Sequence, residues 1–236
     1  MPGLAPWLDF LGPPRCVFCR AEPASGHPPI CRRCAATMSA GGPRCPACGR
    51  PAHGDTRCRR RFPAGGLVVL ADYADEARTA ILEAKRPAGE PVAAGLGRLL
   101  VEKHRAILDE WRLHAVVPVP MHWLRRMSRG TSAADTIATA VARGLGLPRR
   151  RLLRRRRATR RLNELVVGER PANVRGAFAA RGRPAGLRIL LVDDVSTTGA
   201  TLAECGRVLV EAGAAAVYAA VIARADGWPG DDADAS

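Results

Sequence analysis

Apolar and polar positions beyond residue 62 follow a regular alternation of strand and helix signals. Short continuous apolar runs predict strands at residues 67–73, 114–120, 187–195 and 215–223. Apolar residues at helical spacing predict helices at residues 75–85, 92–108, 132–145 and 201–212. Strands that alternate with helices pair in parallel through crossover helices. Residues 63–225 are therefore predicted to form an α/β domain with a mostly parallel sheet flanked by helices.

Residues 1–62 carry a different pattern, with few large apolar side chains and seven of the eight cysteines. Six of these form three pairs in which two residues separate the partners, and a seventh follows alone: Cys16, Cys19, Cys31, Cys34, Cys45, Cys48 and Cys58. Two such pairs supply the four thiolates of a tetrahedral zinc site, and the metal then contributes the folding free energy that a small core lacks. Disulfides are the alternative, and they fit poorly because cytosolic thiols stay reduced. We therefore predict a zinc-ribbon-like module that holds one or two structural zinc ions.

The two predicted zinc sites differ in completeness. The first two cysteine pairs, or knuckles, supply four ligands for the first site. The second site has only three cysteines, because Arg61 stands where a fourth would be expected. His53 is a candidate for the missing ligand, although a lone loop histidine is more often solvated, and interleaved pairing of the knuckles also stays open. The eighth cysteine, Cys205, lies on the apolar stripe of the helix at 201–212 and is predicted to be a core residue.

The charge balance is strongly basic, with 37 Lys and Arg residues against 22 Asp and Glu residues and a formal net charge of +15. Such a surface attracts polyanions such as nucleic acid, phosphorylated metabolites or anionic lipid. Residues 149–161 contain nine arginines and no aromatic side chain. This run is interpreted either as a solvated surface segment, as a set of phosphate contacts, or as a binding site for a single-stranded DNA backbone.

The ends of the chain and its apolar runs bear on location. No apolar run is long enough to cross a bilayer, and the first residues lack the basic and then apolar pattern of a secretory signal. The sequence therefore predicts a soluble, cytoplasmic protein without membrane insertion. Residues 226–236 are acidic and rich in small residues, and they are predicted to form a disordered tail.

The segment 189–201 contains the residues best suited to chemistry. Its apolar strand ends in two acids, and a turn of small residues then opens a helix; the candidate binding residues are Val192, Asp193, Asp194, Ser196, Thr197, Thr198, Gly199, Ala200 and Thr201. Amides and hydroxyls at a helix N-terminus bind phosphate, while paired carboxylates accept hydrogen bonds from the vicinal hydroxyls of a sugar. The pattern thus predicts a site for a ribose 5-phosphate. A magnesium site of the phosphoacceptor kind is an alternative, and helix capping would explain one acid only.

This segment resembles the phosphoribosyl pyrophosphate (PRPP) motif of type I phosphoribosyltransferases. With the cysteine pairs, the stretch 116–130 and the stretch 157–178, the chain resembles the ComF family, in which a zinc module precedes such a domain. The resemblance implies a type I phosphoribosyltransferase fold, with Asp193 and Asp194 as catalytic acids on the ribose hydroxyls and 196–201 around the 5-phosphate. The loop after residue 120 would face the pyrophosphate, and residues 154–173 would cover the site. Weaker candidates for contacts to the pyrophosphate or in the cover are Arg125, Arg126, Arg129, Lys85 and Thr159.

The resemblance implies transfer of a 5-phosphoribosyl group from PRPP, with Mg²⁺ and with release of pyrophosphate, to an unidentified acceptor. The enzyme would then be a glycosyltransferase of the pentosyltransferase class. The alternative is a non-catalytic competence protein that binds single-stranded DNA and helicase or channel partners in DNA uptake. Two departures from the family pattern fall near the acceptor or the cover: residues 131–133 are Thr-Ser-Ala where Phe-Asn-Gln is expected, and Leu162 replaces a glutamine.

Overall fold

Alternating strands and helices build the C-terminal part of the molecule. The computed structural model describes residues 15–16, 19, 21, 30–38, 45, 64–121, 132–156 and 174–225. The helices of these parts are α1 (Arg32–Thr37), α2 (Asp75–Ala84), α3 (Glu90–Glu110), α4 (Ala133–Leu145) and α5 (Ala200–Glu211). The strands are β1 (Ala64–Asp72), β2 (Ala115–Pro118), β3 (Leu153–Arg155), β4 (Phe178–Ala180), β5 (Arg188–Ser196) and β6 (Ala216–Arg224). Every strand and helix expected beyond residue 62 is present, with ends shifted by at most three residues.

The main sheet has four strands in the order β1-β6-β5-β2, and every pair in it is parallel. Strand β5 lies inside the sheet, where Leu191 is in register with Val117 on one side and with Ala219 on the other. In parallel sheets, ligands bind beyond the carboxyl ends of the strands. The chain therefore leaves the end of β5 at the place where this architecture binds ligands.

Helices cover both faces of this sheet, as a parallel sheet requires. Alternate residues of β1 point to opposite sides, since Val68 belongs to a core shared with α2, α3 and α4, and Val69 belongs to a second core shared with α5. Strand β5 divides in the same way, with Val192 in the first core and Leu191 in the second. Cys205 is fully buried in the α5-side core, as its place on the apolar stripe predicted.

Strands β3 and β4 form a separate antiparallel ladder that the sequence did not predict. Leu153 and Phe178 turn toward the α5-side core, and the Arg155 guanidinium lies 5.2 Å from the centroid of the Phe178 ring. Arg154, at the start of the expected cover, lies in this paired strand, while residues 157–173 of that cover lie outside the described residues. The arginine-rich run lacks the period-two alternation that signals a strand, which explains the miss.

The cysteine-rich segment shares a core with the larger domain. Ile30 and Met38 are buried in the same continuous apolar cluster as Leu100 of α3 and Val68 of β1. The Lys103 ammonium donates a hydrogen bond to the Met38 carbonyl oxygen across the same junction. In the described part of the chain, no helix has the length and the hydropathy needed to cross a membrane.

Candidate functional site

Four cysteines converge near the N-terminus. The sulfur atoms of Cys16, Cys19, Cys31 and Cys34 all lie within 4.8 Å of one another, and the Cys19 and Cys31 sulfurs are 3.6 Å apart. Tetrahedral zinc with Zn–S bonds of about 2.3 Å places its sulfur ligands roughly 3.8 Å from each other. The four thiols therefore fit a zinc ion in both number and spacing.

Backbone amides already point at these sulfurs. Cys31 is the N-cap of α1, where its sulfur accepts a hydrogen bond from the Cys34 amide at 3.4 Å, and the Cys31 amide donates to the Cys16 sulfur at 3.4 Å. Burial raises the pKa of the Cys34 thiol, and hydrogen bonds among the neighbouring thiols raise it further. A bound divalent cation reverses that balance, because it stabilises thiolates directly.

Of the ligands predicted for the second zinc site, only Cys45 is among the described residues. Cys45 is half-buried and is not a member of the four-cysteine cluster. Cys48, Cys58 and His53 lie outside the described residues. The four thiols of the first site are thus brought together, while a second site stays a prediction.

A pair of acids, Asp193 and Asp194, lies in the C-terminal part of β5. The carboxylate of Asp193 accepts a hydrogen bond from the Asp194 amide at 2.9 Å, and the carboxylate of Asp194 accepts one from the Val195 amide at 2.7 Å. Each side chain is thereby fixed by the backbone of the next residue. The second oxygen of Asp194, Oδ2, faces the Lys85 ammonium.

The two carboxyl groups lie in different surroundings. Burial raises the pKa of the Asp193 carboxyl well above its ordinary range, and the charge of the adjacent Asp194 carboxylate raises it further. Burial also raises the pKa of the neighbouring Cys205 thiol, and the charge of Asp193 adds to that effect. Asp194 instead forms a salt bridge, with its Oδ2 atom 3.0 Å from the Lys85 ammonium, and its side chain is 16% exposed.

Lys85 reaches this site from a different layer of the fold. It follows α2 directly, and its backbone amide donates to the carbonyl oxygens of Ile81 and Leu82 at 3.2 Å each. The sequence predicted Lys85 only as a weak contact for pyrophosphate. In the structure its ammonium instead contacts the carboxylate of Asp194, at 3.0 Å.

The turn between β5 and α5 has the geometry of a helix entrance. Gly199 adopts a left-handed conformation with φ of 72°, which side chains other than glycine rarely adopt. The Thr198 hydroxyl accepts a hydrogen bond from the Ala200 amide at 3.4 Å, and Ser196 is buried at the strand end. The remaining turn residues, Thr197 and Thr201, are partly exposed. The positive end of α5 therefore opens beside the two acids.

The loop after β2 and the predicted cover lie mostly outside the described residues, but the segments that lead into them are described. The Val119 amide donates to the Val192 carbonyl at 2.9 Å, so the chain that leaves β2 runs beside the strand that carries the acids. The predicted contacts Arg125, Arg126, Arg129 and Thr159 lie outside the described residues. Ser132, at one departure from the family pattern, is buried and caps α4 by accepting the Asp135 amide at 3.4 Å.

Glu204 is a buried charged group that sequence reasoning missed. Its carboxylate accepts a hydrogen bond from the Gly176 amide at 2.6 Å. It also accepts two hydrogen bonds from the Arg207 guanidinium, at 2.7 and 2.9 Å. Hydrogen bonding to Arg207 lowers the pKa of the Glu204 carboxyl. The Glu204 carboxylate thereby connects the chain just before β4 to helix α5. The three-residue spacing of Glu204 and Arg207 on a helix was the available signal.

Known proteins match both parts of the chain. Residues 7–61 match the double zinc ribbon domain family, and residues 131–235 match the phosphoribosyl transferase domain family. The DNA utilization protein YhgH of Escherichia coli K12 is 33% identical over 214 residues, which span 87% of this chain and 94% of that protein. Competence protein F of Haemophilus influenzae is 27% identical over 226 residues, which span 89% of this chain and 97% of that protein.

Among solved structures, the glutamine PRPP amidotransferase from B. subtilis complexed with ADP and GMP is 24% identical. The match covers 61% of this chain and 30% of that one, with a TM-score of 0.43. The family matches and the parallel sheet together confirm the predicted fold class, a phosphoribosyltransferase domain with an N-terminal zinc ribbon.

Proposed function

The chain belongs to the ComF family of competence proteins, and from that premise we propose that it binds PRPP at the end of β5 and transfers the 5-phosphoribosyl group. Asp193 and Asp194 accept hydrogen bonds from the ribose 2- and 3-hydroxyls. The turn 196–201 and the N-terminus of α5 bind the 5-phosphate. The observation that carries the proposal is the acid pair, fixed by its own backbone beside a helix entrance.

The chemistry of such a transfer suits these groups. Breaking the bond between C1 and the pyrophosphate places positive charge on the ribose ring and negative charge on the leaving group, so no protein nucleophile is required. Asp193 and Asp194 hold the ring by its hydroxyls and thereby fix its orientation. The site also orients C1 toward the acceptor, which supplies the nucleophile.

We propose that Mg²⁺ reaches the site bound to PRPP. In the described part of the chain, the four cysteines are the only group of three or more side chains suited to hold a metal. A cage built wholly from protein ligands therefore has no support here, and Mg²⁺ is proposed to bind the pyrophosphate oxygens, as it does in many phosphate sites. When bound, it neutralises charge on the leaving group.

Calorimetric titration with PRPP·Mg²⁺ tests the binding site. Replacing Asp193→Asn and Asp194→Asn together removes at least the charge-assisted hydrogen bond to Asp194, worth about 1.5–3 kcal/mol, so affinity is expected to fall about tenfold or more. Asp109→Asn is the matched control, because this carboxylate lies half-exposed on α3. Equal affinity of the double variant and the wild type would refute the assignment.

Turnover requires a separate assay, because the acceptor is unidentified. Release of pyrophosphate from PRPP·Mg²⁺ is measured with a panel of amine and nucleobase acceptors. Ser132 and Ala133 are both buried at the start of α4, where Ser132 serves as the helix cap, so neither is placed to recognise an acceptor. If the protein binds PRPP but releases pyrophosphate with none of the acceptors, the proposed transfer is refuted and only PRPP binding remains.

A second function, contact with single-stranded DNA, is favoured by one surface. On the β3–β4 ladder, Leu153 and Phe178 face the core, so the Arg154 side chain points outward opposite Ala179. The exposed arginines on and beside this ladder, here called the arginine face, are Arg150, Arg151, Arg154, Arg156, Arg181 and Arg183. Residues 149–156 and 174–187 contain no acid. Within these described segments the exposed side chains include arginines but no acid and no aromatic ring, which fits a phosphate backbone.

The salt dependence of DNA binding tests the arginine face. A variant in which Arg154, Arg156 and Arg181 become alanine is compared with one that loses three exposed arginines elsewhere, Arg78, Arg86 and Arg143. Each lost phosphate contact reduces the slope of log K against log salt by about 0.7 for a single strand. We expect a decrease of about 2 for the first variant and none for the second. Equal slopes for both would exclude this surface.

A further inference from the structure

Lysine is a rare choice in this chain, and both lysines form internal contacts. Of 37 basic residues, only Lys85 and Lys103 are not arginine. Lys103 donates to the Met38 carbonyl, and Lys85 binds Asp194 at 3.0 Å. A lysine is a compact point charge, whereas an arginine is a broad planar fork. Each lysine thus places a compact cation on an oxygen of a segment distant in sequence.

The geometry at Asp194 shows why a compact cation fits there. Its Oδ1 atom accepts the Val195 amide, and its Oδ2 atom accepts the Lys85 ammonium. A carboxylate oxygen has two acceptor positions, so Oδ2 has the capacity to accept a ligand hydroxyl beside the ammonium. A guanidinium fork at this place would occupy more of the carboxylate. The Lys85 side chain is 27% exposed and the Asp194 side chain 16%, so this ion pair is partly accessible to solvent.

On these grounds we propose that Lys85 is a specificity-determining residue of the PRPP site. Its ammonium neutralises Asp194 and so allows the acid pair to accept the ribose hydroxyls of a ligand that also carries a pyrophosphate. This inference rests on the proposed PRPP-binding function. It adds to that function a reason for preferring the highly charged PRPP over ribose 5-phosphate.

The physical reason is charge balance. An acid pair without a counter-ion repels an anionic ligand, and the repulsion grows with the charge of the ligand. PRPP·Mg²⁺ carries a pyrophosphate that ribose 5-phosphate lacks, while both present the same diol and the same 5-phosphate. Loss of the Lys85 charge therefore penalises PRPP more than ribose 5-phosphate. A side chain with a purely structural role would affect both ligands equally.

The test is calorimetric titration of the full chain, loaded with zinc, with PRPP·Mg²⁺ and with ribose 5-phosphate. For Lys85→Met we expect affinity for PRPP·Mg²⁺ to fall about tenfold or more, and affinity for ribose 5-phosphate to fall less than about threefold. Arg86→Met removes the same formal charge one residue away, from an exposed side chain paired with Glu83, and should bind both ligands like the wild type. Melting temperatures without ligand verify that the variants fold.

Lys85→Arg separates charge from size. It keeps the positive charge but places a fork at Asp194, so affinity for both ligands should fall to a similar extent. Equal losses of the two ligands in Lys85→Met, or no loss, would overturn the proposal while leaving PRPP binding intact. Wild-type affinity in Lys85→Arg would refute the requirement for a compact cation. A wild-type protein that binds neither ligand would overturn the proposed function and this inference together.

Discussion

Truncation of Met38 to alanine tests whether the cysteine-rich segment and the phosphoribosyltransferase domain unfold as one unit. Met38 follows helix α1 and is 2% exposed. It belongs to the core that contains Leu100 and Leu108 of α3, and its carbonyl oxygen accepts the Lys103 ammonium. If this core is continuous in solution, a cavity at Met38 destabilises the whole chain.

The magnitude follows from burial. Replacing a fully buried methionine by alanine costs about 2–5 kcal/mol, the sum of lost transfer free energy and the cavity that remains. For a chain of this size, each kcal/mol lowers the melting temperature by about 2–4 °C. A loss of about 3 kcal/mol therefore corresponds to a decrease of about 6–12 °C.

Differential scanning calorimetry of the zinc-loaded protein measures this shift, and zinc analysis verifies that the metal is retained. Leu82→Ala is the control, because Leu82 of α2 is 46% exposed and its truncation leaves no cavity. We expect one transition that moves as a whole in Met38→Ala and stays within 1–2 °C, or about 0.5 kcal/mol, in the control. Two transitions, of which only the smaller moves, would show that the two parts unfold independently and would refute a shared core.

Three further predictions concern the metal and two carboxyl groups. Stripping the metal with a chelator should lower the melting temperature of the whole chain, because three of the four cysteines, Cys16, Cys31 and Cys34, belong to the shared core; calorimetry before and after zinc is restored checks this. The pKa of Glu204 is lowered by Arg207, so its stabilisation is present above the unfolded pKa of about 4.3 and is lost as the pH falls through the folded pKa; urea unfolding from pH 7 to 3 should show an acid limb that Glu204→Gln reduces. The pKa of Asp193 is raised, so the folded state loses stability as the pH rises above the unfolded pKa; Asp193→Asn should therefore raise the melting temperature at pH 7 while it weakens PRPP binding, and an unchanged or lower melting temperature would contradict the buried environment.

Local signals in the sequence were sufficient for the main sheet and for the position of the acids. The apolar run that ends in Asp193 is a strand because its residues are buried on both faces, and the small residues after it fit the tight entrance to α5. The cysteine spacing likewise predicted which thiols lie together. In each case, the decisive residues are close in sequence, so a short pattern contains the relevant information.

Contacts between distant segments could not be predicted in this way. The ion pair of Lys85 with Asp194 joins the end of α2 to the end of β5, and either residue alone resembles a solvated surface charge. The β3–β4 ladder is stabilised by burial of Leu153 and Phe178 against α5, although their neighbours are arginines. Tertiary packing decides such elements, and periodicity within one segment does not reveal it.

The acid pair lies across the boundary between the two cores of the sheet, and this placement separates the roles of its members. Asp193 continues the side of Leu191 and lies near Cys205 in the α5-side core, whose apolar surroundings favour its neutral form. Asp194 is paired with Lys85, which is held by α2, and α2 packs in the same core as the cysteine cluster. We therefore expect loosening of the core at the zinc site to affect Asp194 through Lys85, and changes in α5 to affect Asp193 instead; PRPP·Mg²⁺ titration of Met38→Ala against Leu82→Ala checks the first expectation, and equal affinities would contradict it.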